Sequence, residues 1–154
     1  MRLRLLAPLL LVLSCATVNL QQETASVNQV LDDWHKAAAD ADEPRYFAHA
    51  APDFIFLGTD ATERWDLASF RGFAHPYFAK GKAWTFTPRS RNVVVSGDTA
   101  WFDEKLDSAS YGECRGTGVL RRVDEEWKIA QYNLTIPIPN ELAKEVVGRI
   151  REKH

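Results

Sequence analysis

Glu113-Cys114-Arg115-Gly116-Thr117-Gly118-Val119-Leu120-Arg121-Arg122-Val123, then Asp124-Glu125-Glu126, then Trp127-Lys128-Ile129-Ala130-Gln131-Tyr132-Asn133-Leu134-Thr135-Ile136, is the stretch that decides the fold. β-Branched and aromatic residues flanking a short acidic turn read as the two arms of a hairpin. Residues 83–89, 91–96 and 99–106 have the same character, and Gly97-Asp98 supplies a tight turn. The C-terminal half is therefore a run of antiparallel strands.

The N-terminal half has a different period. Val27, Val30, Leu31, Trp34 and Ala38 recur at helical spacing behind Ser26, a good N-cap, and this helix should end near Asp40. Pro44 suits the first turn of a second, short helix reaching Ala50, which Pro52 stops. Residues 54–57 form an apolar strand before the turn Gly58-Thr59-Asp60. Asp66 can cap a third helix with Leu67, Phe70, Phe73 and Ala74 on one face, and Gly81 marks its exit. Asn140 can cap a last helix whose Leu142, Val146 and Ile150 face inward. Helices gathered on one face of an antiparallel sheet define an α+β domain.

The chain has 154 residues, 45% hydrophobic and 26% charged, which fits one globular domain with a sizeable core. Its formal charge of -2 is spread along the chain with no basic stripe, so no nucleic-acid partner is expected. Residues 1–15 are a separate unit. Arg2 and Arg4 precede an apolar run over 5–13, too short to span a bilayer but the length of a signal-peptide core. It ends in Val12-Leu13-Ser14-Cys15, which resembles a bacterial lipobox; that resemblance implies lipidation of Cys15 and a periplasm-facing anchor in the cell envelope. Leu13 stands where a small residue is more usual, which leaves ordinary secretory cleavage open. Residues 16–25 read as a polar tether and 26–154 as the domain. With Cys15 lipidated, Cys114 is a lone thiol in a packing role.

Several stretches resemble the SnoaL-like branch of the NTF2-like superfamily. They are Gly58-Thr59-Asp60-Ala61-Thr62-Glu63-Arg64-Trp65, Ala100-Trp101-Phe102-Asp103-Glu104, Arg115-Gly116-Thr117-Gly118-Val119-Leu120, and Trp127 to Asn133 running into Pro137-Ile138-Pro139-Asn140. The resemblance covers roughly residues 26–140. It implies a cone, with three N-terminal helices packed on a curved antiparallel sheet and a C-terminal helix. It also implies a cavity and a homodimer formed through the outer sheet face. Some relatives are isomerases or cyclases with an acidic base, and many only bind ligands. Asn133 stands where relatives often carry His, and an amide cannot act as a general base near neutral pH.

A register argument places the candidate site. A three-residue turn at 124–126 pairs Val119 with Gln131 and Thr117 with Asn133, and a loop centred near Ala109-Ser110 sets Glu104 opposite Arg115. Alternation then puts Phe102, Glu104, Arg115, Thr117, Val119, Ile129, Gln131 and Asn133 on one face. Trp101, Asp103, Cys114, Gly116, Gly118, Leu120, Ala130, Tyr132 and Leu134 fall on the other, the expected dimer or packing face. Apolar walls with convergent polar groups make the first set a ligand pocket. Glu104 and Arg115 are either a structural ion pair or a base beside a residue that holds an anionic or carbonyl ligand. Thr117, Gln131 and Asn133 orient a ligand or hold water. Tyr77 or His75 closes the cavity mouth, although His75 reads more simply as a solvated loop residue. Asp60 serves its turn, and Glu63 is a further pocket candidate.

The five tryptophans read mainly as packing. His35, His49 and His75 lack metal-ligand spacing, and neither a phosphate-cradling loop nor a nucleophile elbow is present, so no metal or cofactor is expected. The sequence thus points to an exported domain binding a small organic ligand. A cofactor-free isomerase, cyclase or hydratase using Glu104 or Asp103 as base is the enzymatic alternative, and an envelope protein-interaction module is the third.

Overall fold

A computed structural model describes the backbone of residues 8–153 and the side chains of residues 19–153. Residues 1–7 of the proposed leader and the side chain of Cys15 lie outside those described residues. The elements run α1 (Pro8–Ala39), α2 (Glu43–Ala48), β1 (Ala50–Leu57), β2 (Arg64–Asp66), α3 (Leu67–Ala79), β3 (Thr87–Ser96), β4 (Thr99–Ser108), β5 (Gly112–Val123), β6 (Glu126–Thr135) and α4 (Asn140–Glu152). The six strands form one sheet in the order β2-β1-β6-β5-β4-β3. Neighbours are antiparallel except β1 and β6, whose parallel pairing brings the first strand into the middle of the sheet.

Local chemistry explains most boundaries. Asp66 Oδ1 accepts from Ser69 N at 2.8 Å and starts α3. Asp42 Oδ1 accepts from Arg45 N at 3.1 Å and starts α2, with Pro44 in its first turn. Ala41, in the left-handed region at φ 54°, ends α1, and Asp42 N closes back on Ala37 O at 2.9 Å.

Several expectations need correction. Ser26 does not cap a helix: its hydroxyl donates to Gln22 O at 3.0 Å inside α1. Residues 16–25, read as tether, are helical too, and Glu23 accepts from Trp127 Nε1 at 2.9 Å. Pro52 lies inside β1, at the irregular part of its pairing with β6. The two short strands expected over 83–96 are one strand from Thr87, with a register shift at residues 88–90. The stripe on α4 does not face inward, as Leu142 and Ile150 are 47% and 52% exposed and α4 buries no residue.

The concave side is packed with rings. Phe56 stacks on Phe70 with centroids 4.1 Å apart and 9° between planes, and Trp34 stacks on Tyr46 at 4.8 Å and 21°. Tyr132 joins the two groups, 4.5 Å from Trp34 and 5.8 Å from Phe56. Rings of this size dominate core energetics. Phe56 and Phe70 continue from this packed group into the wall of a cavity.

Candidate functional site

Two sites compete for a functional reading, a buried charge cluster and an open aromatic cavity, and they do not overlap. The cluster centres on Glu104, 1% exposed on the inner face of β4. Oε2 accepts from Arg91 Nε at 2.8 Å; Oε1 meets His35 Nε2 at 2.8 Å and accepts from Tyr132 Oη at 2.9 Å. Arg91 reaches on to Asp32 Oδ1 at 2.8 Å and Asn28 Oδ1 at 3.1 Å, tying β3 to α1. Burial alone would raise the Glu104 pKa. The His35 hydrogen bond and charge, with Arg91, more than offset it and hold the carboxyl below its ordinary range. Glu104 is thus an ionised acceptor, which requires His35 Nε2 to carry a proton. Burial first, and the Glu104 charge second, push the Tyr132 hydroxyl well above its usual value.

This geometry overturns the expected Glu104–Arg115 pair. Glu104 lies opposite Gly116, and Arg115 opposite Lys105, because the β4–β5 turn is one residue longer than expected. A Cβ on Gly116 would stand 2.3 Å from Tyr132 Oη and 2.7 Å from Glu104 Oε1, so the missing side chain makes room for the cluster. The β5–β6 turn is shorter than expected, with Val123 opposite Glu126 across Asp124 and Glu125. Ala130 restores the register as a bulge, so Thr117 does pair with Asn133 and Val119 with Gln131.

Those residues nevertheless sit on the outer face. Cys114, Gly116, Gly118, Leu120, Tyr132 and Leu134, assigned to a packing or dimer face, are buried in the core and so take the packing role. The bulge reverses the phase of β6, separating inward Ile129 from outward Gln131. Arg115, Thr117, Gln131 and Asn133 therefore line no cavity with Glu104. Phe102 is inward and 4% exposed, but also core.

Sequence reasoning missed His35 and Arg91, although both left a signal. His35 falls on the apolar stripe of α1 beside Trp34, and Arg91 shares an inward phase with Val93 and Val95. A charged residue in such a phase needs a buried partner.

The cavity lies at the open end of the cone and encloses ≈ 430 Å³. Phe56 from β1, Trp65 from β2, and Phe70, Phe73 and Tyr77 from α3 line one part; Trp84 and Phe86 from the α3–β3 connection, Tyr111 from the β4–β5 turn and Leu134 from β6 line the rest. Thr59, Glu63, Thr85, Ser108 and Ser110 add polar groups. Of the sequence candidates, Glu63 and Tyr77 line this space. His75 does not: it is exposed, with Nδ1 2.8 Å from Glu43 Oε2.

Glu63 is fixed by its loop. Its Oε2 accepts from Asp60 N at 3.1 Å, and Asp60 Oδ1 accepts from Thr62 N at 2.8 Å. A Cβ on Gly58 would lie 2.1 Å from Glu63 Oε2, so Gly58 leaves the space this carboxylate occupies. Among the described residues no group of His, Cys, Asp and Glu side chains is arranged to hold a metal ion. No described helix is long and apolar enough to cross a membrane.

A family model described as a SnoaL-like domain matches residues 27–139. Among solved structures, an NTF2-like protein of unknown function from Pseudomonas putida KT2440 is similar at a TM-score of 0.67 and 17% identity, over 79% of this chain and 91% of that one. A candidate dehydratase of the NTF2-like family from Streptomyces avermitilis is similar at 0.67 and 14%, over 77% and 99%. A candidate aromatic ring hydroxylase from Novosphingobium aromaticivorans is similar at 0.61 and 18%, over 75% and 89%. At these identities the likeness concerns the fold. No curated protein matches the chain. With the matched span covering both the aromatic cavity and the Glu104 cluster, the chain belongs to the SnoaL-like domain family, on an NTF2-like cone.

Proposed function

We propose that this domain binds a small organic molecule with an apolar, ring-sized body in the aromatic cavity. The supporting observation is the cavity itself: ≈ 430 Å³, walled by aromatic side chains from five parts of the fold, with a few polar groups among them. That size and lining suit a ligand site. Phe73, Tyr77 and Tyr111 remain 41%, 47% and 52% exposed, a cost that an occupant would relieve. Glu104 serves instead as a structural anion, since it stands outside the cavity with its charge already satisfied. Native mass spectrometry of protein purified gently from cells tests the reading: a small-molecule adduct should appear and be lost in a folded Trp84→Ala variant. An adduct that survives Trp84→Ala and Phe73→Ala would place the ligand elsewhere.

The proposal includes export and attachment through Cys15, motivated by Arg2, Arg4, the apolar run and the lipobox-like ending. Cys15→Ala should move the protein from the membrane to the soluble fraction, and an unchanged distribution would refute the anchor. It also includes a homodimer through the outer sheet face. Trp101 there is 47% exposed and pairs with Val94 on one side and Val119 on the other, an apolar row across three strands. Trp101→Lys should convert a dimer into a monomer by light scattering, and a wild-type monomer would remove this part of the proposal.

A further inference from the structure

We infer that the ligand of the aromatic cavity is a cation, a quaternary ammonium or protonated amine carrying an apolar body. This deepens the proposed function and rests on it. Among the described residues Glu63 is the only lining residue with a formal charge at neutral pH, and neither Lys nor Arg lines the space. A carboxylate ligand would meet Glu63 with no compensating base, while a neutral ligand would leave that charge unused. The rings supply the complementary half of the recognition. Phe73 and Tyr77 are inclined by 46° with centroids 5.5 Å apart, and Tyr77 and Trp84 by 63° at 6.3 Å. Trp65, Phe70 and Phe73 stack into one wall, with Trp65 and Phe73 4.7 Å apart at 18°, and Tyr77 and Trp84 turn away from it, so the rings bound the space from more than one side. Their quadrupoles present negative potential to a cation held within about 6 Å of a ring.

Glu63 is also built to act on a ligand. Oε2 is held by Asp60 N, whereas Oε1 accepts from no protein donor among the described residues. The loop that fixes it folds through Gly58, where a Cβ would collide with the carboxylate. The carboxylate is therefore positioned by its loop, with one oxygen left for a guest. An organic ammonium with an apolar body suits this arrangement better than a compact, strongly hydrated metal ion, which needs several oxygen ligands.

Isothermal titration of the full chain tests this. Choline is compared with its shape-matched neutral analogue 3,3-dimethylbutan-1-ol, and benzyltrimethylammonium with benzyl alcohol and benzoate. The cations should bind roughly tenfold or more tightly than their neutral counterparts, with benzoate weakest. In Glu63→Gln the preference for cations should collapse towards one, while Glu63→Asp, which keeps the charge, should retain part of it. Equal affinity for cations and neutral analogues, or an unchanged preference in Glu63→Gln, overturns the cation assignment and leaves ligand binding standing. Failure of every probe to bind overturns both.

Discussion

Replacing Gly116 with alanine puts a methyl group where the structure has no room. The new Cβ would lie 2.3 Å from Tyr132 Oη, 2.7 Å from Glu104 Oε1 and 2.9 Å from Glu104 Cγ. Neither neighbour can swing into solvent, because Tyr132 and Glu104 are 2% and 1% exposed. Overpacking of a tight core costs about 1–3 kcal/mol. Displacing Tyr132 Oη also strips a hydrogen bond from a buried carboxylate, which costs about 1.5–3 kcal/mol. The total, about 3–5 kcal/mol, is a large part of the 5–15 kcal/mol typical of whole domains. At roughly 2–4 °C per kcal/mol for a chain of this size, the melting temperature should fall by about 10 °C. Urea unfolding followed by fluorescence measures the loss. Gly72→Ala, a helical position with nothing within 4 Å of its new Cβ, is the matched control and should stabilise by about 0.5–1 kcal/mol. If Gly116→Ala unfolds within about 0.5 kcal/mol of wild type, the tight Glu104 cluster described above is wrong.

Glu125→Gly should stabilise the protein by about 1 kcal/mol in the same assay, because Asp124 and Glu125 both hold left-handed φ angles, 49° and 66°, in a two-residue hairpin turn; a destabilised variant would contradict that geometry. Acid should weaken the fold through depressed carboxylates. Asp33, held mainly by Arg45, has its pKa lowered from 3.8 to about 2, and Glu104 is lowered from 4.5. Because both folded-state values lie below the unfolded ones, their contribution is complete above the ordinary carboxylate range and is lost as pH falls from there towards 2. Unfolding free energies measured from pH 6 to about pH 2 should decline along that path, and Glu104→Gln should flatten it. Truncation after Pro139 should leave the global unfolding free energy within about 0.5 kcal/mol, since α4 buries no residue; a larger loss would show that α4 packs on the domain.

Element types were legible because their signals are local. The Asp66 cap, Pro44 and the alternation of β4 each act within a few residues, and each element stands where they place it. Register was harder, because it depends on turn length. One extra residue at Tyr111 moved Arg115 from beside Glu104 to the opposite face, and one fewer in the acidic turn was made good by the Ala130 bulge. Thr117 and Asn133 kept their expected partnership but lost their expected face. Long-range pairing was not legible at all. Nothing near Arg91 in the sequence says that Asn28, Asp32 and Glu104 will surround it. The aromatic lining escaped for the same reason: Trp65 and Trp84 come from separate elements and each reads locally as packing, and only Tyr77 and Glu63 among the lining residues were expected at a cavity. The amphipathic pattern of α4 pointed inward by convention, yet α1 and α3 already pack on the sheet.

The indole N–H resonances give the most direct test that the aromatic cavity is the ligand site. The chain has five tryptophans, of which Trp65 and Trp84 line the cavity, Trp34 and Trp127 are buried elsewhere, and Trp101 lies on the outer sheet face. Titrating 15N-labelled protein with benzyltrimethylammonium should shift the Trp65 and Trp84 signals together, along one saturating curve, and leave the other three in place. Movement of Trp101 alone, or of none of the five, would contradict it.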